Sequence, residues 1–304
     1  MPSNSTKTAL VIVFNHRYDN NIRPLREIYS SRFSHIYFVV PFYDGNEADV
    51  IPVYGNSYYY STYLAQAARS FHDDQYTHYF FVADDMILNP EVNEHNLTEL
   101  LNCEADDCFI PEIKTLHQVH DRWNVDYAMQ FNIKTWGIEA SKELPTYEEA
   151  LRHFTRHNIE IKALPEAQVF EAETMQQKAK RLVKVAMGKA SKRKEYYDLP
   201  YPQATGLSDI LLVSKQAINK FIHYCGVFGS LGLFVELAIP TALVLAATSI
   251  RFEKDLLLQG RYLWTKEELS VLEKYNHDLT KLLSDFPEGY LFIHPVKISK
   301  WKTS

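Results

Sequence analysis

Two kinds of apolar pattern alternate along the first part of the chain. Short continuous runs, rich in β-branched and aromatic residues, are typical of strands buried on both faces. Between them, apolar residues recur at the three- and four-residue spacing of a helix. This alternation predicts a parallel sheet with right-handed crossovers. The predicted strands are 8–14, 35–41, 50–54 and 79–82, and the predicted helices are 22–33 and 57–71.

The fourth predicted strand ends in two adjacent carboxylates, Asp84 and Asp85. Ligands of open α/β sheets bind at the carboxyl ends of the strands, and two acids this close repel each other unless a cation or a proton intervenes. Because Mg²⁺ takes one or two carboxylates together with phosphate oxygens, the pair suits a divalent ion that holds a diphosphate. For an isolated pair, a solvated Asp-Asp turn is the simpler alternative.

The loops after the first and second strands bring more polar and aromatic side chains to the same edge. Tyr18 or Tyr43 is suited to stack on a base, and Asp44 to accept from a base N–H or a ribose hydroxyl. Neither Gly-x-Gly-x-x-Gly nor a Walker-type glycine loop occurs, so a dinucleotide or P-loop site has no support. The nucleotide-binding candidates in these loops are Asn15, His16, Tyr18, Tyr43 and Asp44.

The remainder of the chain is less regular. Segment 144–157 predicts an amphipathic helix, 200–214 a turn followed by a strand, and 265–286 a surface helix with one leucine-rich face. The chain ends in an apolar strand that delivers His294 and then Lys297 to a turn.

Segment 225–247 is long and apolar, which raises the question of a membrane span. Glu236 near its middle, Pro240 and three glycines argue against one, because a lipid-exposed helix is not expected to hold that carboxylate. We expect a buried loop followed by a core helix.

Composition limits the class of protein. A chain of 304 residues, 46% apolar and 23% charged, is long enough to bury a large globular core. Its net charge of -6 gives no reason to expect nucleic acid as a partner. The odd number of cysteines, without metal-ligand spacing, indicates a reducing compartment, and the N-terminal apolar run is too short for a signal peptide. These features predict a cytoplasmic protein.

Lysine and arginine are concentrated in segment 173–197, chiefly between 178 and 194. The simpler interpretation is a solvated helix or a loop over the site. The alternative is a patch that contacts the anionic inner face of a membrane or a phosphate-bearing acceptor.

With its strand-terminal Asp84-Asp85, its nucleotide-half pattern and its C-terminal His294-Pro295-Val296-Lys297, the chain resembles the nucleotide-sugar-dependent glycosyltransferases of GT-A fold. The resemblance implies an α/β fold with a Rossmann-type, mostly parallel central sheet flanked by helices. It also implies one catalytic domain over 1–304, with a nucleotide-sugar-binding half (1–100) and an acceptor-side half (101–304).

The same resemblance implies a role for each motif. Asp84, Asp85 and His294 are the expected ligands of Mn²⁺ or Mg²⁺ on the diphosphate of a nucleotide sugar, with UDP as the expected nucleotide. Asp84 and Lys297 are expected to contact the donor. The sequence at this point is Ala83-Asp84-Asp85 rather than a full DxD, which leaves open which carboxylate binds the metal directly.

Substitution at the anomeric carbon with inversion also needs a base for the acceptor hydroxyl. Glu236 and Asp209 are the candidates, and Glu236 is favoured; a retaining enzyme needs neither in this role. The expected acceptor is a glycan or glycoconjugate, such as a glycolipid. Two other classes stay open: a sugar-nucleotide pyrophosphorylase or related nucleotidyltransferase, and a non-catalytic carbohydrate-binding protein.

Overall fold

The computed structural model describes residues 7–119, 138–162 and 201–302, together with Ala128, Met175, Ala179 and Val183. A seven-stranded sheet, ordered β10-β6-β9-β4-β1-β2-β3, forms its centre. All its strands run in the same direction except β9, which is antiparallel to both neighbours. The strands are β1 Thr8–Val13, β2 Ile36–Pro41, β3 Val50–Val53, β4 His78–Ala83, β6 Asp107–Phe109, β9 Ile210–Ser214 and β10 Ser249–Arg251.

A small sheet, ordered β11-β12-β5, packs beside the central one, and β7 pairs with β8 in a two-stranded ribbon. Strand β12 runs antiparallel to β5 and parallel to β11. The bounds of these strands are β5 Ile87–Leu88, β7 Lys114–Thr115, β8 Ala204–Thr205, β11 Gln259–Tyr262 and β12 Tyr290–His294.

Helices cover both faces of the central sheet because its strands are apolar on both sides. In β1, Ala9 and Val11 belong to the hydrophobic core on one face, and Leu10 and Ile12 to the core on the other. The helices are α1 Ile22–Tyr29, α2 Ser61–Phe71, α3 Leu97–Leu100, α4 Tyr147–Arg156, α5 Lys215–Ser230, α6 Val235–Ala246, α7 Lys266–Leu269 and α8 Leu279–Ser284. The predicted α/β architecture is confirmed: a mixed α/β fold with a mostly parallel, Rossmann-type central sheet flanked by helices.

The predicted buried loop is shorter than expected: only residues 231–234, which are mostly buried, separate the two helices here. Residues 225–230 form the last turns of α5, a helix that the sequence reading missed. Its glycines allow close packing: a Cβ at Gly229 would lie 2.1 Å from Cγ2 of Thr62 on α2, and one at Gly226 would lie 3.2 Å from Cβ of Ala65. The predicted core helix is α6. No helix among the described residues is long and apolar enough to cross a membrane.

The predicted surface helix over 265–286 is wrong in its continuity. Helix α7 passes into a 3-10 helix, Ser270–Tyr275, and α8 starts only at Leu279. Asn276 and His277 separate them with φ values of 51° and 55°, a left-handed conformation that ends a right-handed helix. Leu279 and Leu282 are nevertheless buried, as the leucine pattern requires.

Candidate active site

The site lies at the carboxyl edge of β1 and β4. In the sheet, β2 and β3 lie on one side of β1, and β4, the next strand along the chain, lies on its other side. The gap between β1 and β4 is therefore a topological switch point, where open α/β sheets bind ligands. Asp84 follows β4 directly, and its backbone N–H donates to the carbonyl of Val13 at 3.1 Å. Asp84 and Asp85 therefore lie at the sheet edge expected from the sequence.

The two carboxylates differ in their surroundings. Asp84 is buried, and its carboxylate accepts hydrogen bonds from Nδ2 of Asn21 at 3.0 Å and from the backbone N–H of Asn15. Burial, and then the charge of Asp85, raise the pKa of Asp84 to about 7. The side chain of Asp85 is 35% exposed. Asp85 is thus the more accessible of the two carboxylates, and Asp84 is the buried one.

His294 lies between two carboxylates. Its Nδ1 is 3.1 Å from Oδ1 of Asp85, and its Nε2 is 3.5 Å from Oδ2 of Asp209. Burial alone lowers the pKa of the imidazole, but Asp209 and Asp85 outweigh it and raise the pKa to about 10. The predicted residues Asp85, Asp209 and His294 therefore meet in space.

Strand direction explains how these distant residues converge. Because β9 is antiparallel, its first residues lie at the carboxyl edge of β4, and the carbonyl of Asp209 accepts from the N–H of Ala83 at 2.8 Å. β12 pairs with β5, just after Asp85, and so carries His294 to the same point.

Tyr60 was missed by sequence reasoning. It is buried at the start of α2, and its hydroxyl donates to Ser208, whose carbonyl and Oγ oxygens both lie 3.0 Å away. Burial, and then the charges of Asp209, Glu236 and Asp85, raise its pKa well above the ordinary value. The phenol is thus close enough to three carboxylates to respond to each of them. A tyrosine in an aromatic-rich segment gives no sequence signal of such a position.

Glu236 lies in the first turn of α6 and is half-buried. Its backbone carbonyl accepts from the N–H of Gly206 at 3.2 Å, which ties the start of α6 to the segment leading to Asp209. A small cleft lined by Asn15, Tyr60, Ser208 and Asp209 reaches Ile239, one turn further along α6. Both candidate bases thus belong to one group of acidic residues around Tyr60.

The nucleotide-binding candidates occupy different positions. Asn15, His16 and Tyr18 are exposed after β1, with Tyr18 47% exposed. Asp44 pairs with Arg17, which lies 2.5 Å away and also binds Asp19. The ring of Tyr43 is buried beside Gly45, and its hydroxyl donates to Oε1 of Glu47 at 3.0 Å. Tyr43 therefore offers no open ring face.

Phe42, the neighbour of Tyr43, is 52% exposed and has a φ of 58°. A bulky residue rarely adopts this conformation, and such strain is concentrated at functional sites. Its ring centroid lies 5.8 Å from that of Tyr54, which is 61% exposed. Sequence reasoning passed over Phe42 because a positive φ at a phenylalanine has no signature in the sequence.

Asp85 and His294 carry the kinds of atom, a carboxylate oxygen and an imidazole nitrogen, that bind divalent metals. Nδ1 of His294 is buried and has no well-aligned hydrogen bond despite its short distance to Asp85, as expected of a ligand atom that points at a site. Among the described residues, however, no three His, Cys, Asp or Glu side chains form a complete metal-binding group. Lys297 is exposed, just before a 3-10 turn (Ile298–Lys300) that packs against Asp19–Asn21.

The basic segment between 178 and 194 lies almost wholly outside the described residues, which include only Ala179 and Val183 of it.

The three cysteines, Cys103, Cys108 and Cys225, are free thiols.

Comparison with known proteins gives a distant structural similarity alone. No protein-family model matches the chain, and no curated protein matches it. The chain is similar to the solved structure of mouse xyloside xylosyltransferase 1 in its apo form, with 9% sequence identity and a TM-score of 0.35. The match covers 94% of this chain and 97% of the other.

Proposed function

We propose that this protein is a glycosyltransferase that moves a sugar from a nucleoside diphosphate donor, with UDP as the expected nucleotide, to a hydroxyl of a glycan or glycoconjugate. One observation supports the proposal above all: His294 lies between Asp85 and Asp209 at the topological switch point of the sheet. Carboxylates and an imidazole at this edge suit an anionic nucleotide only when a cation is shared between them.

The loops after β1 and β2 would hold the nucleotide. Tyr18 and Phe42 present exposed rings at this edge, so the stacking role considered for Tyr43 passes to Phe42. Arg17 forms ion pairs with both Asp19 and Asp44 and so holds the Asp44 carboxylate in place. That carboxylate can still accept a hydrogen bond from a ribose hydroxyl. Asn15, His16 and Lys297 are exposed around the same loops and would contact the phosphates or the ribose.

Asp85 and His294 would hold Mn²⁺ or Mg²⁺, with phosphate oxygens and water as the remaining ligands. When bound, the cation would neutralise charge on the departing diphosphate. Asp84 would not touch the cation directly. It is a buried carboxyl with a pKa of about 7, and a cation bound nearby would lower that pKa and favour the charged form. His294 would release its proton on metal binding, because only a neutral imidazole is a ligand.

Glu236 remains the preferred base. In an inverting reaction the acceptor oxygen bonds to the anomeric carbon while the bond from that carbon to the diphosphate oxygen breaks, and Glu236 takes the hydroxyl proton. Asp209 is less suited to this role because it faces Nε2 of His294, and it would instead orient the sugar or the imidazole.

A thermal-shift panel tests the proposal. The full chain is heated with UDP, GDP, UTP, UDP-glucose and UDP-xylose, each with Mn²⁺ or with EDTA. We expect diphosphates to raise the melting temperature with Mn²⁺ and not with EDTA. A response to triphosphates alone would indicate a nucleotidyltransferase. No response to any nucleotide would contradict the proposed function.

A further inference from the structure

A long groove opens beside the candidate active site. Its cavity volume is about 790 Å³, and it lies between β11 and the segment that follows β6. Trp264, Leu207, Glu112 and Lys114 are among the residues that line it. Leu207 directly precedes Ser208 and Asp209, so the groove leads to the acidic residues.

Two aromatic rings form part of its wall next to the site. Trp264 is 59% exposed, and its ring centroid lies 5.4 Å from that of His294 in an edge-on contact. The ring of Tyr262 is nearly parallel to that of Trp264, with an interplanar angle of 13° and a centroid distance of 6.4 Å. Trp264 thus places a largely exposed aromatic ring next to the predicted metal ligand.

The rings are packed against strand β12. Tyr262 packs edge-on against Phe292 of β12 at 5.4 Å, and Leu263 N–H donates to the carbonyl of His294 at 2.8 Å. A Cβ at Gly260 would lie 2.3 Å from Cζ of Phe292, so a glycine is needed for this close approach. The aromatic wall is therefore held in register with His294.

Polar groups are interspersed with the rings. Oε1 of Glu253 accepts from the N–H of Gly260 at 2.6 Å, and burial raises the pKa of this carboxyl. Glu112 and Lys114 are paired at 2.7 Å. Charges of both signs border the groove, which suits hydroxyl groups that donate and accept hydrogen bonds. An acyl chain would instead need a continuous apolar lining.

We propose that this groove is a saccharide subsite in which Trp264 and Tyr262 stack on the apolar C–H face of a pyranose ring while Glu253 accepts from its hydroxyls. The position beside His294 makes it the acceptor side of the reaction. The assignment to the acceptor rests on the proposed function; saccharide binding by the groove does not.

The test uses the full chain without nucleotide, titrated with chitotetraose, xylotetraose, maltotetraose and a heparin tetrasaccharide, and followed by saturation-transfer NMR. We expect at least one to bind, and Trp264→Ala to weaken it by about tenfold or more, as an aromatic contact of about 1.4 kcal/mol requires. Trp264→Phe is expected to keep most of the affinity. Leu257→Ala, which removes an apolar side chain that is 98% exposed near the same strand, is the matched control.

The outcomes separate the two proposals. Loss of saccharide binding in Trp264→Ala, with an unchanged Mn²⁺-UDP thermal shift, supports the subsite. Saccharide binding that persists in Trp264→Ala, or no binding of the panel by the unaltered protein, overturns it. If the nucleotides give no thermal shift but saccharides bind through Trp264, the subsite stands and the glycosyltransferase proposal fails.

Discussion

Nδ1 of His294 lies 3.1 Å from Oδ1 of Asp85, although one residue ends the last strand and the other follows β4. Two backbone connections hold the pair together. Strand β12 pairs with β5, which starts at Ile87, and the N–H of Val296 donates to the carbonyl of Asp85 at 2.6 Å. The C-terminal strand is therefore part of the framework of the site.

This geometry predicts the effect of Asp85→Asn. The substitution removes a charge from a partly exposed side chain while leaving its size unchanged, so we expect the fold to survive and Mn²⁺-dependent binding of UDP to be lost. Thermal unfolding with and without Mn²⁺-UDP measures both effects. A variant that keeps the full metal-dependent shift would remove Asp85 from the metal site.

The sequence predicted the framework of the site because strand ends are easy to recognise. A buried apolar run that stops at Asp84 and Asp85 defines both a strand and its edge. The apolar run before His294 works in the same way. That β9 would run antiparallel, and so bring Asp209 to this edge, was not predictable from periodicity, which does not reveal strand direction.

The rest depended on tertiary packing. The glycines of α5 suggested a loop when judged by composition alone. In the structure, Gly229 lies inside the helix, where Thr62 of α2 leaves no room for a Cβ. Tyr60 acquires its environment from Ser208 on a distant segment. Such contacts involve residues far apart in the chain, and no local pattern reports them.

Asp84→Asn is expected to change the pH dependence of stability. A carboxyl whose pKa is raised from 3.8 to about 7 in the folded protein contributes stability that is fully present below the lower value and is lost as the pH rises through the higher one. The slope is at most about 1.4 kcal/mol per pH unit. Urea unfolding of the metal-free protein at pH 4 to 8 should show this loss in the unaltered chain, whereas the variant should lack it. Equal slopes would contradict the shifted pKa.

Glu236→Gln tests the base. We expect turnover to fall by roughly 10²–10⁴-fold, the usual contribution of a general base, while the Mn²⁺-UDP thermal shift is retained. The comparison is with Asp209→Asn, which removes the charge that faces Nε2 of His294 and should therefore alter metal-dependent binding. Near-normal turnover of Glu236→Gln would transfer the role to Asp209 or to no side chain.

Phe42→Gly separates strain from binding. Glycine relieves the left-handed conformation, which costs an L-residue about 1–2 kcal/mol, whereas Phe42→Ala removes the ring but keeps the strain. We expect the glycine variant to be at least as stable to urea as the alanine variant. Both should bind Mn²⁺-UDP more weakly than the unaltered chain, as measured by calorimetry. Unchanged affinity in both would show that the ring does not contact the base.

His294→Gln tests the C-terminal strand more sharply than deletion. Removing the chain from His294 onward would also remove Val296, Ile298 and Trp301, which are buried in the core, so the fold itself would suffer. The point variant keeps those residues.

In the metal-free protein, an imidazole whose pKa is raised from 6.5 to about 10 contributes stability that is complete below pH 6.5 and is lost as the pH approaches 10. We therefore expect the urea stability of the unaltered chain to fall between pH 6.5 and 10 relative to the variant. Mn²⁺ affinity should weaken in His294→Gln and remain in Lys297→Ala. Unchanged Mn²⁺ affinity in His294→Gln would leave the imidazole as a structural partner of Asp85 and Asp209 and remove it from the metal site.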